Sequence, residues 1–469
     1  MGNALKVGFI SLGCAKNLVD TESMIGLVLG EGLEVTNRRD EADVLVVNTC
    51  GFIEAAKKES IEAILEAARA KETGRCRALV VAGCLVSRYK EELLDEIPEI
   101  DAVIGTADYP RIVEVVRRVW EGQRVEAVSD PDAIADWNFD RVLTTPSHTA
   151  YLKIAEGCNC ACSFCSIPLM RGHYRSRPVE SVLEEAWRLA GLGVKELIVV
   201  SQDTSYYGLD RYRRLMLPEL LRRLAEIPGL RWIRVHYLYP TRVTDELIDV
   251  LATEPKVVRY LDVPLQHGSP RVLRLMNRPA DPEAYLRLLA RVRERVPGVT
   301  LRSTFITGHP GETEEDFEQL LDFLRRAEID HVGVFAYSQE EDTPSGRMSD
   351  QVPPEVREER RRRAMTVQRA IALRLRRQRV GSVEEVLVER PLGGQPGWYV
   401  GRTQGQSPDV DGVVRLHAPD AGLRPGDFVA AEITGVRGYD LVARLAPEAP
   451  TPGTTSRALR EGRAPAPMV

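Results

Sequence analysis

Cys158-Asn-Cys-Ala-Cys162-Ser-Phe-Cys165 follows the apolar run Tyr151-Leu-Lys-Ile-Ala155 after only Glu156 and Gly157. Four Cys residues in eight positions exceed anything side-chain packing requires. Read as C-x3-C-x2-C, with Cys160 as a spare, the loop offers three thiolates to one face of an iron–sulfur cluster. Such clusters usually take four protein ligands, so three leave one iron open to something else. A structural zinc knot is the competing reading, but zinc knots favour paired C-x2-C motifs or added His and close all four positions. Disulfides fit less well, because nothing at the N-terminus resembles a secretion signal and thiols stay reduced in a cytosol.

Tyr151 to Ala155 is the first of six strand-like runs that each precede a helical segment. The others are Glu196-Leu-Ile-Val-Val-Ser, Trp232-Ile-Arg-Val-His-Tyr, Tyr260-Leu-Asp-Val-Pro-Leu, Val299-Thr-Leu-Arg-Ser-Thr-Phe-Ile and His331-Val-Gly-Val-Phe-Ala. They predict a partial parallel (β/α)6 barrel over residues 144–378, shorter than the closed eightfold form and open on one side to a macromolecular substrate. Parallel barrels carry active residues at the carboxyl ends of their strands, and the Cys loop obeys that rule. The same rule nominates Gln202, Asp203 and Thr204 after the second strand, Gln266 and His267 after the fourth, and Ile306-Thr-Gly308-His-Pro-Gly311-Glu312 after the fifth. The glycines permit close backbone approach to a ligand. Ordinary loop hydrogen bonding is the plainer reading of Gln202, Gln266 and His267. Arg171 and Arg177, just past the Cys loop, offer guanidinium groups that clamp a carboxylate bidentately.

Residues 1–125 alternate strand and helix. Lys6-Val-Gly-Phe-Ile-Ser, Ala42-Asp-Val-Leu-Val-Val-Asn, Ala78-Leu-Val-Val-Ala and Asp101-Ala-Val-Ile-Gly read as strands; Asn17 to Gly30, Ile53 to Ala70 and Lys90 to Ile97 read as helices. The pattern predicts a parallel α/β sheet covered on both faces, with ligands beyond the carboxyl ends of the strands. Cys14, Cys50 and Cys84 stand at three such ends, each beside a Gly, Asn or Thr that lets the backbone turn. Free Cys is often just a small buried residue. Three at one topological position point instead to a second three-thiolate cluster. Cys76 precedes its strand and reads as a bystander.

The chain changes texture twice more. An irregular linker over 126–143 joins the first two domains. From 380 to 446, short alternating runs broken by Gly and Pro read as a small antiparallel β-barrel. Gly381 to Leu445 holds nine acidic residues against six basic, a balance that suits a basic polypeptide better than phosphate. The Arg-rich stretch Glu355 to Arg379 reads as a helix laying an apolar stripe on the barrel, and the Pro- and Ala-rich tail 447–469 as disordered. A chain of 469 residues with a net charge of −6 is an α/β multidomain protein with no global basic field. No apolar run approaches a membrane span. Met1-Gly-Asn begins like a myristoylation signal, but Lys6 stands where Ser or Thr is wanted, so a cytoplasmic location is expected.

The C-x3-C-x2-C loop with Phe164 before its last Cys resembles the signature of the radical S-adenosylmethionine superfamily. The last barrel is similar to a TRAM domain, and the three domains together resemble the methylthiotransferase family of radical S-adenosylmethionine enzymes over nearly the whole chain. These enzymes replace C–H by C–S–CH3. The resemblance implies two 4Fe-4S clusters: one on Cys158, Cys162 and Cys165, whose open iron binds S-adenosylmethionine, and one on Cys14, Cys50 and Cys84 that presents or donates sulfur. One S-adenosylmethionine supplies a radical and another the methyl group. The strand-end rule and this resemblance together give Phe164, Gln202, Asp203, Gln266, Gly308, Glu312 and Arg177 as the expected cofactor contacts. Cys160 departs from the family, where a bulky polar residue is commoner, and its spacing makes it a spectator.

Ser11-Leu-Gly-Cys-Ala-Lys-Asn-Leu-Val-Asp20, Asn48-Thr-Cys-Gly-Phe-Ile53 and Ser407-Pro-Asp-Val-Asp-Gly412 resemble the branch that modifies the β-carbon of an aspartate in small-subunit ribosomal protein twelve. The implied partners are that basic ribosomal protein, free or on the ribosome, and an external electron donor, with the enzyme a monomer away from membranes. The tRNA-adenosine branch is the alternative within the family. An iron–sulfur electron-transfer or redox-sensing protein is the alternative of another class.

Overall fold

The computed structural model describes residues 5–133, 140–419 and 421–446. They fall in two compact units, one ending at Leu375 and the other beginning at Arg376. Part of the expected linker, 134–139, and the expected disordered tail, 447–469, lie outside the described residues.

The first unit opens with six parallel strands: β1 (Lys6–Ser11), β2 (Glu34–Thr36), β3 (Val44–Thr49), β4 (Ala78–Gly83), β5 (Ala102–Ile104) and β6 (Val125–Ala127). Their spatial order is β2-β1-β3-β4-β5-β6. Every residue of β3 and β4 is buried, which is why these strands read as continuous apolar runs rather than alternation. Val44, Val46 and Val80 pack to one face with α1 (Ala15–Gly30). Leu45, Val47, Leu79 and Val81 pack to the other with α2 (Glu54–Thr73) and α3 (Cys84–Glu96). Because β1, β3 and β4 are neighbours, Cys14, Cys50 and Cys84 meet at one sheet edge. The helix expected from Lys90 opens at Cys84 itself and kinks at Tyr89, whose φ of −134° is not helical. A further helix, α4 (Ile112–Trp120), covers the sheet where the sequence reading placed none.

All six runs expected of the barrel are strands: β7 (Thr149–Lys153), then, after the short ribbon β8 (Ala155–Glu156) and β9 (Arg175–Ser176), β10 (Glu196–Val200), β11 (Trp232–Val235), β12 (Tyr260–Asp262), β13 (Thr300–Thr307) and β14 (His331–Ala336). They form two parallel three-stranded sheets, β11-β10-β7 and β12-β13-β14, joined by a bridge from Ile233 to Val257. Edges β7 and β14 stay apart, so the ring is open. The antiparallel ribbon β8–β9 brackets the Cys loop and α5 (Ile167–Arg171), fixing both ends of the segment that carries the thiols. The Arg-rich segment is the helix Pro354–Arg377, whose Ala364 and Ile371 enter the barrel core.

The second unit is a closed five-stranded barrel, β15 (Val383–Pro391), β16 (Trp398–Thr403), β17 (Val414–His417), β18 (Phe428–Arg437) and β19 (Asp440–Leu445), around Val386, Val414, Leu416, Ile433 and Leu441. The last strand went unread in the sequence, and its pairing with β17 is parallel, so the barrel is not wholly antiparallel.

Candidate active site

Cys14, Cys50 and Cys84 from the first sheet and Cys158, Cys162 and Cys165 from the barrel line one cavity of about 360 Å³. Two glycines make the first set possible. Gly13 has φ +88°, and a Cβ on it would stand 2.8 Å from Cys50 Cβ; Gly83 has φ +98°, and its Cβ would stand 2.3 Å from Asn48 Oδ1. Only glycine allows those two turns to bring their cysteines together.

A buried charge network joins the two sets. Arg171, on α5, donates from Nε to Cys84 Sγ at 3.3 Å, from one terminal nitrogen to Glu156 at 2.9 Å, and from the other to Asp20 at 2.9 Å and Asn17 at 3.1 Å. Lys153 donates to Glu156 at 2.8 Å and to Asp20. Two cations thus face two anions, and the two halves lock together without net charge. Burial alone would neutralise Glu156, but Arg171 and Lys153 outweigh it and hold the carboxyl far below its usual range. On the barrel side, Arg278 Nη1 lies 3.7 Å from Cys162 Sγ, and its guanidinium covers the Tyr239 ring at 4.1 Å.

The thiols show what they require. Burial and neighbouring Cys84 push Cys50 up to about 12, and burial with Cys162 pushes Cys165 up to about 12. At Cys14, burial is outweighed by Lys16 and Arg171, which lower it. Crowded, buried thiols bind as thiolates where a cation offsets their charge, so both sets suit metal. Among the described residues no three Cys, His, Asp or Glu side chains converge closely enough for a single ion. A cubane cluster, which spreads its thiolate ligands farther apart, fits both sets better than one zinc. Two amide oxygens on the lining, Gln202 Oε1 and Gln266 Oε1, are buried without a hydrogen-bond partner. They suit a ligand carrying donors, as the ammonium of S-adenosylmethionine does.

Of the residues nominated from sequence, Phe164, Gln202, Asp203 and Gln266 line the cavity. Gln202 is aimed by its Nε2, which donates to Glu156 at 2.7 Å. Asp203 is already engaged by Ser205 at 2.6 Å and Arg242 at 2.5 Å, so it orients its loop.

Three nominated residues lie off this lining. Arg177 lies beneath the sheet end, donating to Glu185, to Lys153 O at 2.8 Å and to Ser181 Oγ at 3.0 Å. Gly308 is glycine because a Cβ would stand 2.3 Å from Arg357 Cγ of the helix Pro354–Arg377. Glu312 accepts from Gly308 N at 2.9 Å and from Arg360 at 2.9 Å, closing that turn on itself. Cys160 does line the cavity, its Sγ 3.6 Å from Asp203 Oδ2. Cys76 is buried at the far end of β4.

Sequence reasoning passed over Lys16, Phe52, Tyr237 and Arg278, all on the lining. Lys16 had one signal, its place two residues after Cys14. Tyr237 had none: its φ of +61° is set by tertiary contacts, with its N–H donating to Asp262 at 3.1 Å.

Comparison with known proteins follows the same divisions. Residues 152–324 match the Radical SAM superfamily, 6–105 the Uncharacterized protein family UPF0004, and 380–446 the TRAM domain. The chain is 68% identical over 442 residues to the ribosomal protein uS12 methylthiotransferase RimO of Symbiobacterium thermophilum, covering 94% of this chain and 91% of that one. It is 52% identical over 438 residues to the protein of the same description from Pelotomaculum thermopropionicum, covering 93% and 98%. Among solved structures, the radical S-adenosylmethionine methyltransferase TsrM of Kitasatospora setae, with cobalamin and a [4Fe-4S] cluster bound, is similar in fold, with a TM-score of 0.52 and 19% identity over 73% of this chain and 77% of that one.

Proposed function

The chain belongs to the ribosomal protein uS12 methylthiotransferase RimO family of radical S-adenosylmethionine enzymes, and from that premise we propose that it replaces a hydrogen on the β-carbon of an aspartate in uS12 with a methylthio group. The observation that carries this reading is the one cavity lined by two three-cysteine sets. An electron carrier has no need of two incomplete ligand sets facing the same space.

The cofactors of this reading are S-adenosylmethionine and two 4Fe-4S clusters. Cys158, Cys162 and Cys165 would hold one cluster and Cys14, Cys50 and Cys84 the other. Once bound, these groups supply hydrogen abstraction from an unactivated carbon, a methyl group and sulfur.

The side chains supply order. Gln202 and Gln266 offer their unpartnered amide oxygens to the cofactor's ammonium. Arg278, beside Cys162, offers the guanidinium nearest the barrel set for the cofactor's carboxylate. Phe52, Phe164, Ile167, Met170, Leu238 and Pro264 keep the cavity wall apolar, so water does not intercept the reacting carbon. Residues 1–125 bring the sulfur-bearing set, 144–378 the radical half, and the acidic barrel 380–446 an attractive surface for a basic protein. The enzyme works as a cytoplasmic monomer fed by an external electron donor; no helix among the described residues is long and apolar enough to cross a membrane.

The test is anaerobic incubation of reconstituted protein with S-adenosylmethionine, a reductant and either uS12 or undermodified tRNA. The expected result is a methylthio mass increase on one uS12 aspartate. A methylthio-adenosine in the tRNA arm would replace the substrate, and absence of 5′-deoxyadenosine in every arm would end the radical assignment.

A further inference from the structure

Three cationic side chains line the cavity: Arg171, Arg278 and Lys16. Arg171 is engaged by Glu156, Asp20, Asn17 and Cys84. Arg278 is engaged by Cys162 and by the carbonyl of Pro264, which accepts at 2.5 Å. Lys16 differs. It is 8% exposed, with Nζ 3.8 Å from the Tyr237 ring centroid, and Cys14 and Glu156 favour its charge through space without a hydrogen bond. Among the described residues no hydrogen bond or ion pair reaches its ammonium. An ammonium with no hydrogen-bond acceptor costs free energy that a bound anion recovers. A ring face steadies an ammonium while leaving its N–H donors free.

We propose that Lys16 binds the side-chain carboxylate of the substrate aspartate and so makes the enzyme selective for aspartate over uncharged residues. The inference rests on the aspartate reading above. In aspartate the carboxylate carbon is bonded to the β-carbon, so a cation holding the carboxylate also fixes the atom that must receive sulfur. Lys16 lies in the first turn of α1, two residues beyond Cys14, and so belongs to the side of the cavity that brings the sulfur. Arg278 belongs to the opposite, cofactor-binding side. Tyr237, from the barrel, supports the ammonium between them, and its left-handed backbone is the kind of strain kept at sites where a side chain must be aimed.

The experiment uses reconstituted holoenzyme, wild type, K16R and K16Q, with uS12 carrying either its target aspartate or asparagine there. Affinity is read by fluorescence anisotropy, cluster content by iron analysis, and cofactor binding separately. Wild type should bind the aspartate form roughly ten- to a hundredfold more tightly, the range of one charge-assisted contact. K16Q should lose that preference, K16R should keep part of it, and iron content and S-adenosylmethionine affinity should not change in either. The inference is overturned if wild type binds both forms equally, a comparison that needs no variant. It is also overturned if K16Q keeps the preference, or if K16Q loses iron or S-adenosylmethionine affinity, which would assign Lys16 to the cluster or the cofactor. Failure of wild type to modify uS12 at all would overturn the function itself, and so is told apart from these.

Discussion

Arg171 reaches from α5 of the barrel to Cys84 of the first sheet, its Nε 3.3 Å from the sulfur. One guanidinium therefore touches a ligand of one cysteine set and, through Glu156, the amide of Gln202 on the side of the other. The relative placement of the two sets depends on buried charges more than on apolar packing, because the sheet and the barrel each complete their own cores.

Replacing Arg171 by Gln leaves Asp20 and Glu156 with one cation between them. Breaking a buried ionic network from one side costs about 3–5 kcal/mol, so the midpoint of urea unfolding should fall sharply. R171K keeps the charge but not the planar fork and should recover only part of the loss. An unchanged midpoint in R171Q would show that water, not the network, solvates these groups.

The two cysteine sets should fail in different ways. C84A or C50A should lose about half the iron of the reconstituted protein and stop methylthiolation, yet still release 5′-deoxyadenosine from S-adenosylmethionine. C162A should lose the other half and stop both reactions. Methylthiolation persisting in C14A, C50A or C84A would remove the first set from sulfur delivery.

Gly83→Ala forces a Cβ to 2.3 Å from Asn48 Oδ1 and 2.7 Å from Thr49 O at a φ of +98°. The backbone strain alone amounts to roughly 1–3 kcal/mol. The variant should be less stable and hold less iron at the first set. Gly30→Ala, at the last residue of α1 where nothing lies within 4 Å, is the control and should melt like wild type or slightly above it. Equal melting and iron content in both variants would mean that the turn at Cys84 tolerates a side chain.

Much of this was legible in the sequence, for reasons particular residues make plain. The six cysteines were readable because parallel sheets put function at strand ends, and Cys14, Cys50 and Cys84 are the residues where such strands stop. Gly308 and Glu312 stand at an equally good position, but the sequence could not show that Arg357 and Arg360 of a later helix occupy the space beside them. The pairing of Arg177 was hidden for a like reason: its partner Glu185 is nearby in sequence yet looks like any helix-surface acid until the fold buries it. Strand β19 was missed because only Gly438 and Tyr439 separate it from β18, too short a break to divide one run from the next.

Acid should destabilise the carboxyl ends of β11 and β12 in two steps with the same sign. Burial lowers His236, so the unfolded chain takes its proton first and stability declines once pH drops below about 6.5. At Asp262, burial is outweighed by Arg302 and the bond from His236, which lower its carboxyl to about 2. Its stabilisation is full above the ordinary value of about 3.9 and disappears between there and about 2, roughly 2 kcal/mol in all. Melting temperature followed from pH 7 to pH 2.5 should show both declines. D262N should start lower and lack the second; a variant that keeps it would assign that step to other carboxylates.

Gln202 and Gln266 separate binding from stability. Each buries an amide oxygen with no partner, an arrangement that costs the ligand-free protein free energy and pays off only when a donor arrives. Q266N shortens the side chain while keeping a residue that tolerates the left-handed backbone, φ +73°, found there. It should therefore leave unfolding of the cofactor-free protein unchanged or slightly improved, while weakening S-adenosylmethionine binding by about tenfold or more, as loss of a hydrogen bond to a charged group does. Q202A should weaken binding similarly but also lower stability, because it removes the Nε2 bond to Glu156. Calorimetric titration of the cofactor into anaerobically reconstituted protein, beside urea unfolding of the same variants, reads both quantities. If Q266N bound the cofactor like wild type, its unpartnered oxygen would belong to the substrate's part of the cavity, and the ammonium site would have to be built from Gln202 alone.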